Sequence, residues 1–277
     1  MKKIIVLFAL TVTLLYTACS GGPAPEKTGV LPATGTFAYE FPDRLFRRDI
    51  IYLLNDLDGG DRNASSKISE RDYSLMASVE KLDVSTRRNG TYASYMGIWN
   101  PEYFYGKNEG KENLKGIEYF TTLKELDCCY NKITELNLSK NTKLTFLNCT
   151  DNKLSKLEMT NNPSLEVLLC HRNYISAIDL SKNSSLKVLG CDSNRLSNFD
   201  LSKNPMLMVL SCYDNKLTGL DLSKNTLLEK LDCTLNYMNS SDDVRGLTNG
   251  AIMDFNAQWP GGNDYYVSLL AKDAKKY

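Results

Sequence analysis

LMVLSCYDNKLTGLDLSKN, residues 207–225, covers most of one period of a pattern that fills the middle of this 277-residue chain. Its first leucine, Leu207, has counterparts at Leu123, Leu144, Leu165, Leu186 and Leu228, and Leu210 has them at Leu126, Leu147, Leu168, Leu189 and Leu231. The step is 21 residues in both columns. Two further columns keep it: cysteine at Cys128, Cys149, Cys170, Cys191, Cys212 and Cys233, and asparagine at Asn131, Asn152, Asn173, Asn194, Asn215 and Asn236. The unit reads L-x-x-L-x-C-x-x-N-x-L-x-x-L-x-L-S-x-N, and its six copies run from Leu123 to about residue 240.

The alternation L-x-C followed by a turn-favouring asparagine describes a short strand with one buried face. Stacked in parallel at about 4.8 Å per unit, six strands make a sheet roughly 24 Å wide. No unit can bury its own leucines, so stability comes from neighbours covering one another. The asparagine amides can satisfy backbone groups in the turn after each strand, which would otherwise lie unpaired inside the stack. A shorter L-x-L, as at Leu220 to Leu222, repeats on the opposite side, and Ser139, Thr160, Ser181, Ser202 and Ser223 are expected to close its turn by bonding backbone.

The cysteine column is read as buried, reduced thiols acting as small hydrophobes. In-register side chains on parallel strands keep their β-carbons near about 4.8 Å, outside disulfide range, and a straight ladder does not converge on a metal ion. Cys129 falls one step along the strand and is expected to face solvent, as a reactive thiol or an incidental surface residue.

Residues 1–18 read as an export signal, with Lys2 and Lys3 ahead of an apolar run from Ile4 to Leu15. Leu15, Tyr16, Thr17, Ala18 and Cys19 resemble the lipobox of bacterial lipoproteins, which implies acylation of Cys19; Tyr16 departs from the usual aliphatic there, and plain secretion is the other reading. Residues 19–39 are small and flexible enough for a lipidated linker. Residues 40–113 lack the repeat and are expected to cap the stack, with Phe41, Leu45, Phe46, Ile50, Ile51 and Leu54 at helical spacing. The stack is expected to break at Ser240 to Asp243 and residues 241–277 to form a second cap.

The repeat resembles the 21-residue, cysteine-bearing class of bacterial leucine-rich repeats, similar to those of the internalin family and of many lipoproteins of Bacteroides-like bacteria. The resemblance covers roughly residues 40–240 and implies a leucine-rich-repeat solenoid, α/β-type with mostly short parallel strands and loops, behind a small helical EF-hand-like N-terminal cap. In that cap Asp56, Asp58, Asp61 and Asp72 form a calcium candidate, set against a solvated turn between helices. An EF-hand loop takes about twelve residues, and Asp56 to Asp72 spans seventeen because Arg62 to Ser66 are inserted.

Specificity in such a solenoid lies in the variable rows. One row runs Glu125, Phe146, Val167, Val188, Val209 and Lys230; the next runs Asp127, Asn148, Leu169, Gly190, Ser211 and Asp232; a third runs Cys129, Thr150, His171, Asp192, Tyr213 and Thr234. If the strands line a concave face, Phe146, Val167, Val188, Val209 and Leu169 form an exposed apolar stripe bordered by His171, Arg172, Tyr174 and Tyr213, a composition suited to a protein contact. β-branched residues also simply suit strands. His171 is the chain's only histidine and has no nucleophile supported beside it, so an enzyme is not expected. Lys plus Arg and Asp plus Glu number 33 each, which removes the long-range pull toward nucleic acid. The expected function is therefore a non-enzymatic, cofactor-free, monomeric protein-binding lipoprotein of the bacterial envelope, held at the outer membrane only by its lipid. A periplasm-facing structural or assembly scaffold and a calcium-dependent adhesin are the alternatives.

Overall fold

The computed structural model describes residues 35–86, 110–239, 241–247 and 252–253. The export segment, Cys19 and most of the expected second cap lie outside the described residues. No described helix is long and apolar enough to cross a membrane.

The repeat folds as its columns require. Each L-x-C segment opens as a three-residue strand, and these pair in parallel, each unit in register with the next, so that Leu126, Leu147, Leu168, Leu189, Leu210 and Leu231 stack along one line. The sheet has eight strands: Lys81–Asp83, Glu125–Asp127, Phe146–Asn148, Val167–Leu169, Val188–Gly190, Val209–Ser211, Lys230–Asp232 and Ile252–Met253. It therefore extends one strand beyond the six repeats at each end. Leu82 pairs with Leu126, inside the segment expected to be purely helical cap, and Ile252–Met253 adds to the far edge. The stack does not stop at Ser240 either: Val244–Arg245 pairs with Leu220–Asp221 on the opposite side.

Two asparagine ladders hold the turns. Asn173 is typical of the first: its Oδ1 accepts from the Leu154 amide, and its Nδ2 donates to the carbonyls of Cys149, Cys170 and His171. The second, Asn141, Asn162, Asn183, Asn204 and Asn225, is fully buried and donates to carbonyls of the preceding unit, as Asn183 does to those of Met159 and Asn162. The serine column does not close its turn as expected. There the carboxylates of Asp179, Asp200 and Asp221 accept from the amides of Ser181, Ser202 and Ser223, because a carboxylate two residues back reaches the turn better than a hydroxyl.

One residue per unit lies in the left-handed region: Tyr130, Asp151, Arg172, Ser193, Asp214 and Leu235, with φ from 49° to 57°. None is glycine, so each stores strain that the following asparagine holds in place. Leu235 is exposed. Leu235→Gly is expected to raise stability by about 0.5–1 kcal/mol, and Leu235→Val to lower it, in urea titrations.

The cap contains helices Phe37–Glu40, Arg44–Asp58 and Glu70–Ser78. Asp43 caps the second through bonds from the Leu45 and Phe46 amides, Gly59 ends it at φ 69°, and Ser69 with Asp72 forms a capping box on the third. Phe37, Phe41, Phe46, Ile50 and Leu54 join one continuous core with the repeat leucines. Polar contacts fix the junction: Tyr119 donates to Glu40 at 2.6 Å, and Thr122 donates to the Ala77 carbonyl at 2.6 Å. Lys111 is fully buried at the position where the next five units carry Ile133, Leu154, Ile175, Leu196 and Leu217. Its ammonium bonds the Val84 carbonyl at 2.7 Å and pairs with Asp49 of the second helix at 2.8 Å. A hydrophobic column thus becomes an ionic clamp where cap meets stack.

Candidate functional site

The strand face that the variable rows occupy is not an open apolar stripe. Val167, Leu169, Val188 and Val209 are exposed by 6%, 0%, 0% and 2%. This corrects the expectation that they await a partner. The four form a second, smaller hydrophobic cluster in which Val188 sits between Val167 and Val209, with Phe146 and Met208 packed against them. What remains accessible lies at the margin. Phe146, Arg172 and Tyr213 are half-buried, and Tyr174 is exposed.

His171 is buried as well, at 2% exposure, and its surroundings are specific. Its Nδ1 lies 2.6 Å from Asp192, whose other carboxylate oxygen accepts from the Ser211 hydroxyl at 2.5 Å and the Tyr213 amide at 3.0 Å. Gly190 makes room for the ring: a β-carbon there would lie 2.2 Å from His171 Nε2. The one glycine in its row, beside the chain's only histidine, was the sequence signal for this packing. The cluster holds serine, aspartate and histidine, but the hydroxyl sits on the carboxylate and not on the imidazole. The order serine–histidine–aspartate of a nucleophile relay is therefore not formed by these three residues.

Cys129 is also buried, against the expectation of a solvent-facing thiol, because its row is packed along with Thr150 and His171. Its amide donates to Asp127 at 3.1 Å. The ladder cysteines Cys128, Cys149, Cys170, Cys191, Cys212 and Cys233 are free and buried, and burial raises every one of their thiol pKa values, that of Cys233 to about 11. Thiols held neutral in this way are poor nucleophiles.

In the cap, the calcium candidates do not converge. Asp56 and Asp61 are exposed, whereas Asp58 and Asp72 both grip the guanidinium of Arg62. Arg62 forms a two-bonded fork with Asp58 at 2.6 and 2.8 Å, reaches Asp72 at 2.5 Å, and donates to the Asn55 side chain and the Leu54 carbonyl at 3.2 Å. Hydrogen bonds from Arg62 hold the Asp58 carboxyl well below the usual carboxylate range. The guanidinium occupies the place a cation would take, and it comes from the very insertion that lengthens the loop. Wild-type melting is expected to ignore millimolar calcium. Arg62→Ala, which leaves two carboxylates, an amide oxygen and a carbonyl facing one another, is expected to melt earlier and to recover part of the loss when calcium is added; recovery is read in a thermal scan.

No protein-family model matches the chain, and no curated protein matches it. Among solved structures, an internalin (inlF) from Listeria monocytogenes aligns over 82% of this chain and 61% of its own, at 20% identity and a TM-score of 0.61. Internalin C2 (inlC2) from the same organism aligns over 82% of this chain and 100% of its own, at 18% identity and a TM-score of 0.54. The functional domain of InlJ from Listeria monocytogenes, whose description includes a cysteine ladder, aligns over 76% of this chain and 54% of its own, at 25% identity and a TM-score of 0.31. The chain thus spans little more than half the length of two of these three. With its parallel strands in register, its leucine columns and its helical cap, the chain has the leucine-rich-repeat fold of the two internalin structures that align over 82% of it.

Proposed function

We propose that the chain is a non-enzymatic, monomeric, protein-binding lipoprotein of the bacterial envelope, anchored at the outer membrane through a lipid on Cys19. The observation that carries the reading is the division of labour inside each unit. The leucine, cysteine and asparagine positions are consumed by the stack, while the positions around them differ from unit to unit without changing the register. A rigid scaffold that displays variable side chains in fixed rows suits recognition better than chemistry. The partner-facing residues are the accessible ones at the margin of the strand face, Phe146, Arg172 and Tyr213; Tyr174, one residue past the asparagine corner, is exposed on the adjoining flank. The Arg62 clamp speaks against calcium-dependent adhesion.

Two measurements test this. Metabolic labelling with a fatty-acid analogue should mark the wild type and fail on Cys19→Ser; equal labelling of both removes the anchor. Affinity capture with wild type and with a folded Arg172→Ala, Tyr213→Ala variant should differ in one recovered protein, and identical recovery means the margin is not the contact surface. Protease added to intact cells then separates the two topologies, since protection until the envelope is opened favours the periplasmic scaffold.

A further inference from the structure

A row untouched by the strand face runs along the flank just past the first asparagine ladder. Lys153, Tyr174, Arg195, Lys216 and Tyr237 follow one another in successive units, and all five are exposed. Their backbone is fixed by one bond per unit, each amide donating to a carbonyl of the unit before, as Tyr174 does to Leu154 and Lys216 to Leu196. The side chains therefore repeat at the strand spacing of about 4.8 Å. Arg195 lies over the Tyr174 ring, 4.6 Å from its centroid, and Tyr237 is 64% exposed. Among the described residues no carboxylate pairs with Lys153, Arg195 or Lys216. Two acidic residues stand one corner back: Asp151 is engaged with Arg172 at 3.3 Å, and Asp214 is exposed two residues before Lys216. Two residues further along each unit comes a parallel row of exposed hydroxyls, Ser155, Ser176, Ser197 and Thr218, separated from the first by the buried Leu154, Ile175, Leu196 and Leu217.

From these two rows we infer a second binding surface, distinct from the strand-face margin, that takes an extended acidic polysaccharide. Three chemistries coincide at one spacing. Cations without a carboxylate partner meet carboxylates or sulfates, the exposed Tyr237 ring and the free face of Tyr174, whose other face Arg195 covers, pack against sugar rings, and the hydroxyl row meets sugar hydroxyls. Every residue of an extended glycan carries a ring and hydroxyls, so each solenoid unit along the row has a sugar to meet. An extended acidic peptide repeats its same-side residues every 6.6–6.8 Å or so and falls out of step with a row spaced at about 4.8 Å.

The purified chain is titrated at low salt with alginate, a polyuronate, beside neutral dextran and poly-L-glutamate, by affinity electrophoresis and calorimetry. Alginate is expected to bind, dextran not to bind, and poly-L-glutamate to bind about tenfold more weakly or worse. Removing the charges by Lys153→Gln, Arg195→Gln and Lys216→Gln, or the rings by Tyr174→Ala and Tyr237→Ala, should each weaken alginate by about tenfold or more. The same charge loss elsewhere, through Lys182→Gln, Lys203→Gln and Lys224→Gln, should leave it unchanged. Absence of alginate binding overturns the inference, as does an unaltered tyrosine pair or equal affinity for poly-L-glutamate, since either reduces the row to general attraction between charges. The five positions are exposed, so the variants keep the stack, and unchanged melting confirms it. Capture of a protein partner through Arg172 and Tyr213 is unaffected by any of these outcomes.

Discussion

Above about pH 9 the protein is expected to lose stability more steeply than its size alone would suggest, and to unfold cooperatively within one to two pH units. The cause is the cysteine ladder. In the unfolded chain each thiol ionises around its ordinary value of 9.0, whereas burial holds the same thiol neutral in the fold, to about pH 11 for Cys233 and well above that ordinary value for the other five. A group whose folded pKa is raised contributes fully below its unfolded pKa, and its contribution drains away as pH rises toward the folded value. Six thiols acting together give a slope of roughly 8 kcal/mol per pH unit, against a total stability of about 5–15 kcal/mol for a domain. Urea titrations between pH 8 and pH 11 measure the slope directly. Cys149→Ala and Cys191→Ala should each make it shallower by about one sixth, since one of six thiols is gone. A slope indifferent to those substitutions would place the charge elsewhere. Below pH 9 the native thiols should also resist alkylation until denaturant is added.

How much of this could be read beforehand follows from what periodicity encodes. The columns at Leu126, Cys128 and Asn131 repeat because every unit meets the same neighbours, so strand, register and the first asparagine ladder were legible in the spacing. The first strand was not. Leu82 and Val84 stand where the next unit has Leu126 and Cys128, but the unit is interrupted after Thr86 and resumes at Lys111, opposite Ile133. With no cysteine, no asparagine and a lysine in the aliphatic column, it carries none of the marks by which the other units are counted. The valine row misled for a different reason. Alternation assigns Val167, Val188 and Val209 to the face opposite the leucines, which is correct, but says nothing of what else packs there, and burial is a tertiary property. Arg62 was visible only as an insertion that spoiled a metal loop. That the insertion itself supplies the positive charge depends on a side chain folding back, which spacing does not record.

The largest single-residue effect is expected at Asn173. Its side chain satisfies four backbone groups at once: the Leu154 amide at 2.9 Å and the carbonyls of Cys149, Cys170 and His171 at 3.0, 3.2 and 3.1 Å. Alanine strands the Leu154 amide, for which water has no route in at 4% exposure, and takes one of two bonds from each carbonyl, which keep the Asn152 side chain, the Asn194 side chain and the Asp151 amide. The preceding residue, Arg172, is held at φ 49°, so the substitution also releases the restraint on a left-handed corner. With roughly 1–3 kcal/mol for the one buried amide left unsatisfied, and about 1 kcal/mol for the weakened carbonyl bonds and the released corner, Asn173→Ala should cost about 2–4 kcal/mol. A central unit magnifies this, because a solenoid is a chain of nearest-neighbour interfaces and a failed middle unit uncouples the turns on both sides. Asn236 provides the control. It makes the same four bonds, to Leu217, Cys212, Cys233 and Thr234, but is half-buried in the last repeat, where water can stand in. Asn236→Ala should therefore cost about 1–2 kcal/mol, in line with a partly solvated hydrogen-bonding group. Equal losses at the two positions would mean that the ladder acts locally and that the stack does not transmit the damage. A much larger loss at Asn173, with a reduced denaturant slope as the outer units melt separately, would show that each asparagine couples its unit to the next.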